Sequence, residues 1–396
     1  MGELLDFETA RRLVLDAASP IRRTETVPLR AAAGRVAARD VRARIDVPLA
    51  DRAAMDGYAV RSEDARGASP DRPAFLRRVG SVHAGHPSGA AVGRGRCIEI
   101  ATGAVLPRGA DAIVNVERTG RDGDEVRILG SVGPGENVSR RGEDIARGSL
   151  LVRPGDVITA GKLGALAAVG TVRVRVVAKP RVAILTTGDE IVRPGSRLRA
   201  GQVYDINGLT LAALVRDQGG EPLPGPPVRD RLDALRTALR KAAASADLVV
   251  ASGGSSVGSR DLLVDALDEV RFHGIAIKPG RPTALGRIGR TAVLGMPGFP
   301  TSCLSNGYVL LGPMVRRMAR LPPAVDRVVE APLGEMIESP RGKVEVHTVR
   351  LVDGRVVSAF KESSAITSMA HADGYVVIPA DVTVLEAGST VRVILF

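Results

Sequence analysis

Between residues 180 and 319 apolar strand-like runs alternate with helix-like stretches, and this rhythm constrains the fold more than any other feature of the chain. RVAILTTG is followed by INGLTLAALVRDQG, RDRLDALRTALRKAAASA by DLVVASGG, and DLLVDALDEV begins a further helix. Apolar strands separated by helices predict a mostly parallel sheet, because parallel neighbours need a crossover connection. In such sheets ligands bind at the carboxyl ends of the strands.

The loops at those ends are polar. Asp247 to Asp261 reads DLVVASGGSSVGSRD, in which Gly253, Gly254 and Gly258 let the backbone bring its N–H groups to a ligand. A helix starting near Asp261 adds its positive end, so a phosphate is the natural guest. The loop matches neither GxxxxGK[ST] nor GxGxxG, and taken alone it reads equally well as a plain strand-to-helix connection. Two further loops shift that balance: IAIKPGRP, with Lys278 and Arg281 among prolines, and LGMPGFPTS, which runs into another helix. With 49 Arg and 6 Lys in the chain, a lysine at 278 favours a specific role.

TTGDEI sets Asp189 and Glu190 beside a glycine turn. Carboxylates at the mouth of a parallel sheet repel a phosphate unless a divalent cation lies between them. With Asp261 nearby, a Mg²⁺ site is one reading and a turn cap the other. Asp205 and Asn207 in VYDIN, and Asp230 ahead of DALRTALRKA, are ambiguous between helix caps and ligands.

The flanking segments differ in pattern. Ala10, Leu13, Val14 and Ala17 share one face of a helix over 7–19, with Asp6 as its cap and Pro20 as its stop. From about Thr24 to Asp144 short β-prone pieces (TVPLR, RCIEI, DAIVNVE, EVRIL) predict a small β-rich domain. RPGDVIT, AGKLGALAAVG and TVRVRVV then mix turn, helix and strand. After Leu321-Pro322-Pro323 the chain is strands only, with a hairpin about Asp353-Gly354, which predicts a small β-barrel or sandwich. DVPLADRAAMDGYAV with Asp51 and Asp56, Thr102-Gly103 in IATGAV, and RRGEDI with Asp144 are polar loops that pattern alone assigns to solvated faces. His83 and His86 lack a third ligand nearby. No Ser-His-Asp or Cys-His arrangement is legible.

At 396 residues the chain has room for two to four domains. Its net charge of +11 invites a nucleic-acid reading, but aromatic residues are only 3% and no helix-turn-helix, zinc-finger or RNP signature is present. An anionic small substrate accounts for the charge equally well. Cys97 and Cys303 fit no metal spacing and read as buried residues of a reducing cytoplasm. The acidic N-terminal segment and the lack of a long apolar run predict a cytoplasmic protein without a membrane span.

DVPLADRAAMDGYAV, ATGAVLP, GEN...RRGEDI, TTGDE, GQVYDIN, SGGSSVGSRD, KPGRP and GMPGFPTS occur in this order over nearly the whole chain, and together they closely resemble the molybdopterin molybdenumtransferase (MoeA-type) family, related to the C-terminal part of gephyrin. The resemblance implies an α/β multidomain protein. Residues 1–26 with 145–178 would form an elongated dimerisation domain and 27–144 a β-rich lid. Residues 179–321 would form an α/β molybdopterin-binding domain with a mostly parallel sheet, and 322–396 a small C-terminal β-barrel. It implies a homodimer whose cleft joins the α/β domain of one subunit to the lid region of the other. The implied reaction inserts molybdate into adenylylated molybdopterin and releases AMP, with Mg²⁺ present, and molybdoenzymes or the preceding adenylyltransferase are possible partners.

Carried over position by position, Asp56, Thr102, Asp144, Glu190, Asp230 and Asp261 match catalytic positions, with Glu190 and Asp261 around the metal. Gly253, Gly254, Ser255, Gly258, Lys278, Arg281, Pro297, Pro300 and Ser302 match the ligand loops, with Lys278 as the candidate for molybdate. The chain departs from the family where GGVSVG is usual around Ser255, KPGKP at Arg281 and PGNP at Phe299. Arg281 keeps the charge with a different shape, while Phe299 replaces an amide by a ring. A non-catalytic pterin-binding or scaffolding paralogue is the second reading, and an adenylyltransferase acting one step earlier the third.

Overall fold

The computed structural model describes residues 4–86, 89–254 and 261–396. They form two units, one drawn from the segments up to Glu25, Gly34–Val36 and Val177–Phe396, the other from Thr26–Ala33 and Ala37–Val176.

In the larger unit, helix α1 (Phe7–Ala17) starts where Asp6 accepts the Thr9 amide at 2.9 Å, and it ends short of Pro20. The alternating segment supplies β1 (Arg181–Thr186), α2 (Asn207–Asp217), β2 (Glu221–Pro224), α3 (Leu232–Ser245), β3 (Leu248–Ser252) and α4 (Leu262–Ala266). It continues with β4 (Glu269–His273), β5 (Ile277–Lys278), β6 (Ala284–Ile288), β7 (Thr291–Met296), α5 (Pro300–Asn306) and α6 (Gly312–Met318). The sheet runs in the order β2-β1-β3-β7-β6-β4, parallel across its first four strands and antiparallel at β6 and β4. The mostly parallel sheet expected from the sequence is present.

Its odd-numbered residues Ala183, Leu185, Val249, Ala251 and Val293 pack with Leu235 and Leu239 of α3 and Leu263 of α4. The even-numbered residues therefore face the other side, where α2 packs against β1 and β2. All of β3 is buried, as a strand covered by helices on both faces must be. Three strands end in register, Thr186 beside Ser252 and Ser252 beside Met296, so their loops emerge side by side.

The C-terminal sheet uses β8 (Val328–Pro332), β9 (Val344–Val352), β10 (Arg355–Ser358), β11 (Gly374–Ile378) and β12 (Thr390–Leu395); the segment also holds a short strand pair, Ile337–Glu338 with Val384–Leu385, and a one-turn helix, Thr367–Ala370, where the sequence pattern showed strands only. The sheet is a half-barrel in the order β5-β9-β11-β12-β8, with β10 paired to β9. The β9–β10 hairpin turns at Asp353 and Gly354, both at positive φ (50° and 73°), as the Asp-Gly pair requires. Strand β5 comes from the α/β segment yet forms the edge of this sheet, with Lys278 paired to Glu345.

The smaller unit holds a mixed six-stranded sheet in the order Ala112–Asn115, Gly57–Val60, Arg96–Ile100, Ala74–Val82, Glu125–Ile128, Thr119–Asp122. Tyr58 and Val60 face one apolar cluster and Ala59 with Ile98 face another, so this sheet too is covered on both sides. A second core gathers Val27, Ile158, Leu166 and Val174 around a helix, Ala160–Ala168. Cys97 and Cys303 are free and buried, and burial pushes both thiols up to about 12.

Candidate functional site

The registered ends of β1, β3 and β7 open on a cavity of about 1070 Å³. Asn207, 8% exposed, ties them together: its Nδ2 donates to Ser252 Oγ and to the Gly298 carbonyl, both at 2.8 Å. Ser252 Oγ in turn donates to the Pro297 carbonyl at 3.0 Å. Asn207 is thus a strut between two ligand loops. Asp205 accepts the Gly208 amide at 2.8 Å at the start of α2 and the Thr186 hydroxyl at 3.0 Å.

Gly253 and Gly254 lie at φ +89° and +68°, and a Cβ on Gly253 would stand 2.5 Å from the Thr187 carbonyl oxygen. Only glycine fits where that backbone crosses Thr187. The Thr187 hydroxyl, buried beside both glycines at the cavity wall, has no hydrogen-bond partner among the described residues. Ser255 and Gly258, expected in the same loop, lie outside the described residues.

One side of the cavity is acidic. Glu190 and Asp230 line it. Asp230 is not the cap of α3, which starts from Arg231 with no side-chain cap bond. Partial burial, and then the charges of Glu190 and Asp189, push the Asp230 carboxyl above its ordinary range. Asp261 caps α4 through Oδ1, which accepts the Leu263 and Val264 amides at 3.1 and 3.2 Å, while Oδ2 lies 2.7 Å from His273 Nε2. Burial lifts the Asp261 carboxyl against the pull of those amides and of His273. Among the described residues no group of three or more His, Cys, Asp or Glu is arranged to hold a metal.

The other side is basic. Lys278 and Arg281 line it, and the loop carrying them is pinned by Asn306, whose Nδ2 donates to the Gly280 carbonyl at 3.1 Å and to Thr283 Oγ1 at 2.6 Å. Gly280, at φ +117°, leaves no room for a Cβ against Asn306. Pro297, Pro300 and Ser302 line the cavity beyond it, with Pro300 in the first turn of α5, and the Phe299 ring stands 60% exposed at its lip.

Sequence reasoning missed the contribution of the C-terminal β-domain. Lys343, Ser363 and Ser364 line the same cavity. The loop of Ser363 and Ser364 is held by the Thr301 amide, 3.0 Å from the Ser363 carbonyl, and the Thr301 hydroxyl, 2.8 Å from that of Ala365. No local pattern announces contacts between segments so far apart. The rarity of lysine, which singled out Lys278, applies equally to Lys343.

In the smaller unit the structure joins two loops that the sequence kept apart. Asp56 Oδ1 accepts both the Thr102 amide at 2.6 Å and the Thr102 hydroxyl at 2.8 Å, and these bonds hold the Asp56 carboxyl below its ordinary range. Asp144 is exposed, with its amide donating to the Val47 carbonyl at 3.1 Å. Its loop is anchored by Asp51, which accepts the Arg141 amide at 2.8 Å.

A mostly parallel sheet whose strand ends open on a cavity, acidic on one side and basic on the other, defines an α/β protein with a ligand-binding site at its strand ends. Comparison with known proteins narrows the class. Residues 5–170 match the MoeA N-terminal region (domain I and II), 183–317 a probable molybdopterin binding domain, and 330–396 the MoeA C-terminal region (domain IV). Molybdopterin molybdenumtransferase 2 of Mycobacterium tuberculosis is 35% identical over 93% of this chain and 94% of its own length. The molybdopterin molybdenumtransferase of Haemophilus influenzae is 30% identical over 96% and 98%. A crystal structure of the molybdopterin biosynthesis MoeA protein of Pyrococcus horikoshii superposes with a TM-score of 0.84 at 31% identity, covering 100% of both chains. The chain belongs to the MoeA, or molybdopterin molybdenumtransferase, family of molybdenum cofactor biosynthesis.

Proposed function

We propose that this protein is a molybdopterin molybdenumtransferase, taking adenylylated molybdopterin and molybdate to molybdenum cofactor with release of AMP. The observation that carries this reading is the cavity itself, of a size for a nucleotide-linked pterin, with carboxylates on one side and lysines with an arginine on the other. Gly253, Gly254, Pro297, Pro300 and Ser302 would shape the wall against the ligand. Lys278, with Arg281, would meet the oxyanion.

The acidic side suits a hydrated divalent cation. Asp230 is held above its ordinary range partly by the charges of Glu190 and Asp189, a repulsion that a cation relieves. Mg²⁺ is commonly held by one or two carboxylates together with waters and substrate phosphates, so a closed protein cage is not needed. Glu190 and Asp261 are the proposed ligands, and Asp261 would have to share a carboxylate already engaged with α4 and His273. When bound, Mg²⁺ supplies charge neutralisation at the pyrophosphate. The proposal extends to a cytoplasmic homodimer and to catalytic roles for Asp56, Thr102, Asp144 and Asp230. Further partners would be molybdoenzymes or the adenylyltransferase that supplies the substrate.

The test is direct: purified protein with adenylylated molybdopterin, molybdate and Mg²⁺ should release AMP and yield cofactor that activates an apo-molybdoenzyme. A folded protein that releases none sinks the reading. Phe299 at the cavity lip favours one alternative, a paralogue that binds pterin without turnover. Tight pterin binding without AMP release would identify it.

A further inference from the structure

Lys278 does not stand alone at the cavity wall. Its ammonium lies 3.1 Å from Oε1 of Glu345, a side chain with no exposure at all on the neighbouring strand β9. The same Oε1 is 3.0 Å from Nδ1 of His347, itself 8% exposed, and His347 Nε2 is 2.8 Å from Ser358 Oγ on β10. With Nδ1–H turned to the carboxylate, Nε2 accepts from the serine, which fixes the ring. The Phe360 ring packs against His347 with centroids 5.5 Å apart and lies 5.8 Å from the Lys278 ammonium. Burial alone would lift the Glu345 carboxyl, but the contacts of His347 and Lys278 outweigh it and hold the group below its ordinary range.

A carboxylate buried this completely is costly unless it is paired, and here its cationic partner is the residue that faces the ligand. We propose that Glu345, oriented by His347 and Ser358, is a positioning residue that pins the Lys278 ammonium at the cavity wall, so that the C-terminal β-domain sets the aim of the oxyanion-binding lysine. The oxyanion clause rests on the transferase reading; the pinning itself does not.

Two readouts separate them. The chain has six lysines, so competitive acetylation with acetic anhydride at pH 8, quantified by mass spectrometry, reports Lys278 against exposed Lys241 as internal reference. Acetylation needs an amine that can leave its partner and meet the reagent, and the 3.1 Å contact with the buried Glu345 carboxylate opposes that. Glu345→Gln, isosteric and uncharged, should therefore raise the Lys278:Lys241 ratio about fivefold or more, and His347→Gln, which also serves if the first variant misfolds, should raise it less. An unchanged ratio overturns the proposal.

The second readout is AMP release. Loss of the counter-charge alone would tighten anion binding, so pinning predicts the opposite: a severalfold rise in KM for molybdate in Glu345→Gln with kcat near wild type. In a Lys278→Ala background the same change should add nothing. A fall in KM, or effects that simply add, overturns the positioning role. Wild-type protein that releases no AMP defeats the transferase reading and leaves the labelling result to decide this one.

Discussion

Asp230 lines the cavity and Glu345 lies buried behind its Lys278 wall, and their surroundings push the two carboxyls in opposite directions. Glu345 is fully buried yet held ionised, because β9 places it opposite Lys278 and beside His347. Asp230 stands at the cavity wall and is pushed up by partial burial and then by the charges of Glu190 and Asp189. On the basic side Lys278 is balanced within the protein by Glu345, while the acidic side carries a repulsion that a cation would relieve. Exposure alone would have ranked the two the other way round.

The largest expected effect falls on the basic side. Lys278→Ala should cut AMP release at limiting molybdate by roughly 100-fold, the usual loss when a charged donor to a reacting oxyanion is removed. An effect under threefold would mean that Lys343 or Arg281 carries the charge instead. Next comes the strut behind both sides. Asn207→Ala leaves the Gly298 carbonyl without its side-chain donor and should cost about 2 kcal/mol, lowering Tm by roughly 4–8 °C in a calorimetric scan. A smaller shift would show that the loops hold themselves.

The opposite pKa directions then predict opposite pH behaviour. The Glu345 carboxyl lies lower in the folded state, so its contribution is present above its unfolded value of about 4.3 and is lost as pH falls through the folded one. Asp230 lies higher when folded, so its contribution is present below about 3.9 and is lost as pH rises through the folded value. Tm measured from pH 3 to 7 should fall less steeply on acidification in Glu345→Gln than in wild type. Asp230→Asn should be relatively more stable towards neutral pH. Parallel curves for wild type and both variants would remove the contrast. The smallest effect is a rise of about 1–2 °C in Tm of the wild type with millimolar Mg²⁺ at pH 7, absent in the Glu190→Gln/Asp230→Asn double variant. An equal rise in both would place cation binding elsewhere.

Much of the fold was legible because it depends on local pattern. Apolar runs interrupted by amphipathic helices led to a mostly parallel sheet, Asp6 is the cap that its position suggested, and Asp353-Gly354 turns the hairpin it announced. Local pattern left Asp230 open between cap and ligand, and only the fold shows it one position ahead of the start of α3 and in the cavity wall. Asn207 was ambiguous for a related reason. Its role as a strut depends on Ser252 and Gly298, 45 and 91 residues away.

By itself the sequence determined the sheet, the strand ends at which polar loops would gather, and the ordered motifs that mark the family. Those features follow from periodicity and backbone preference, which act over a few residues. Only the tertiary structure decided that a two-residue strand from the α/β segment joins the C-terminal sheet, so that Lys278 meets Glu345, and that Lys343, Ser363 and Ser364 complete the cavity wall. Ion pairing and burial depend on which distant surfaces are brought together, and no window of residues carries that information.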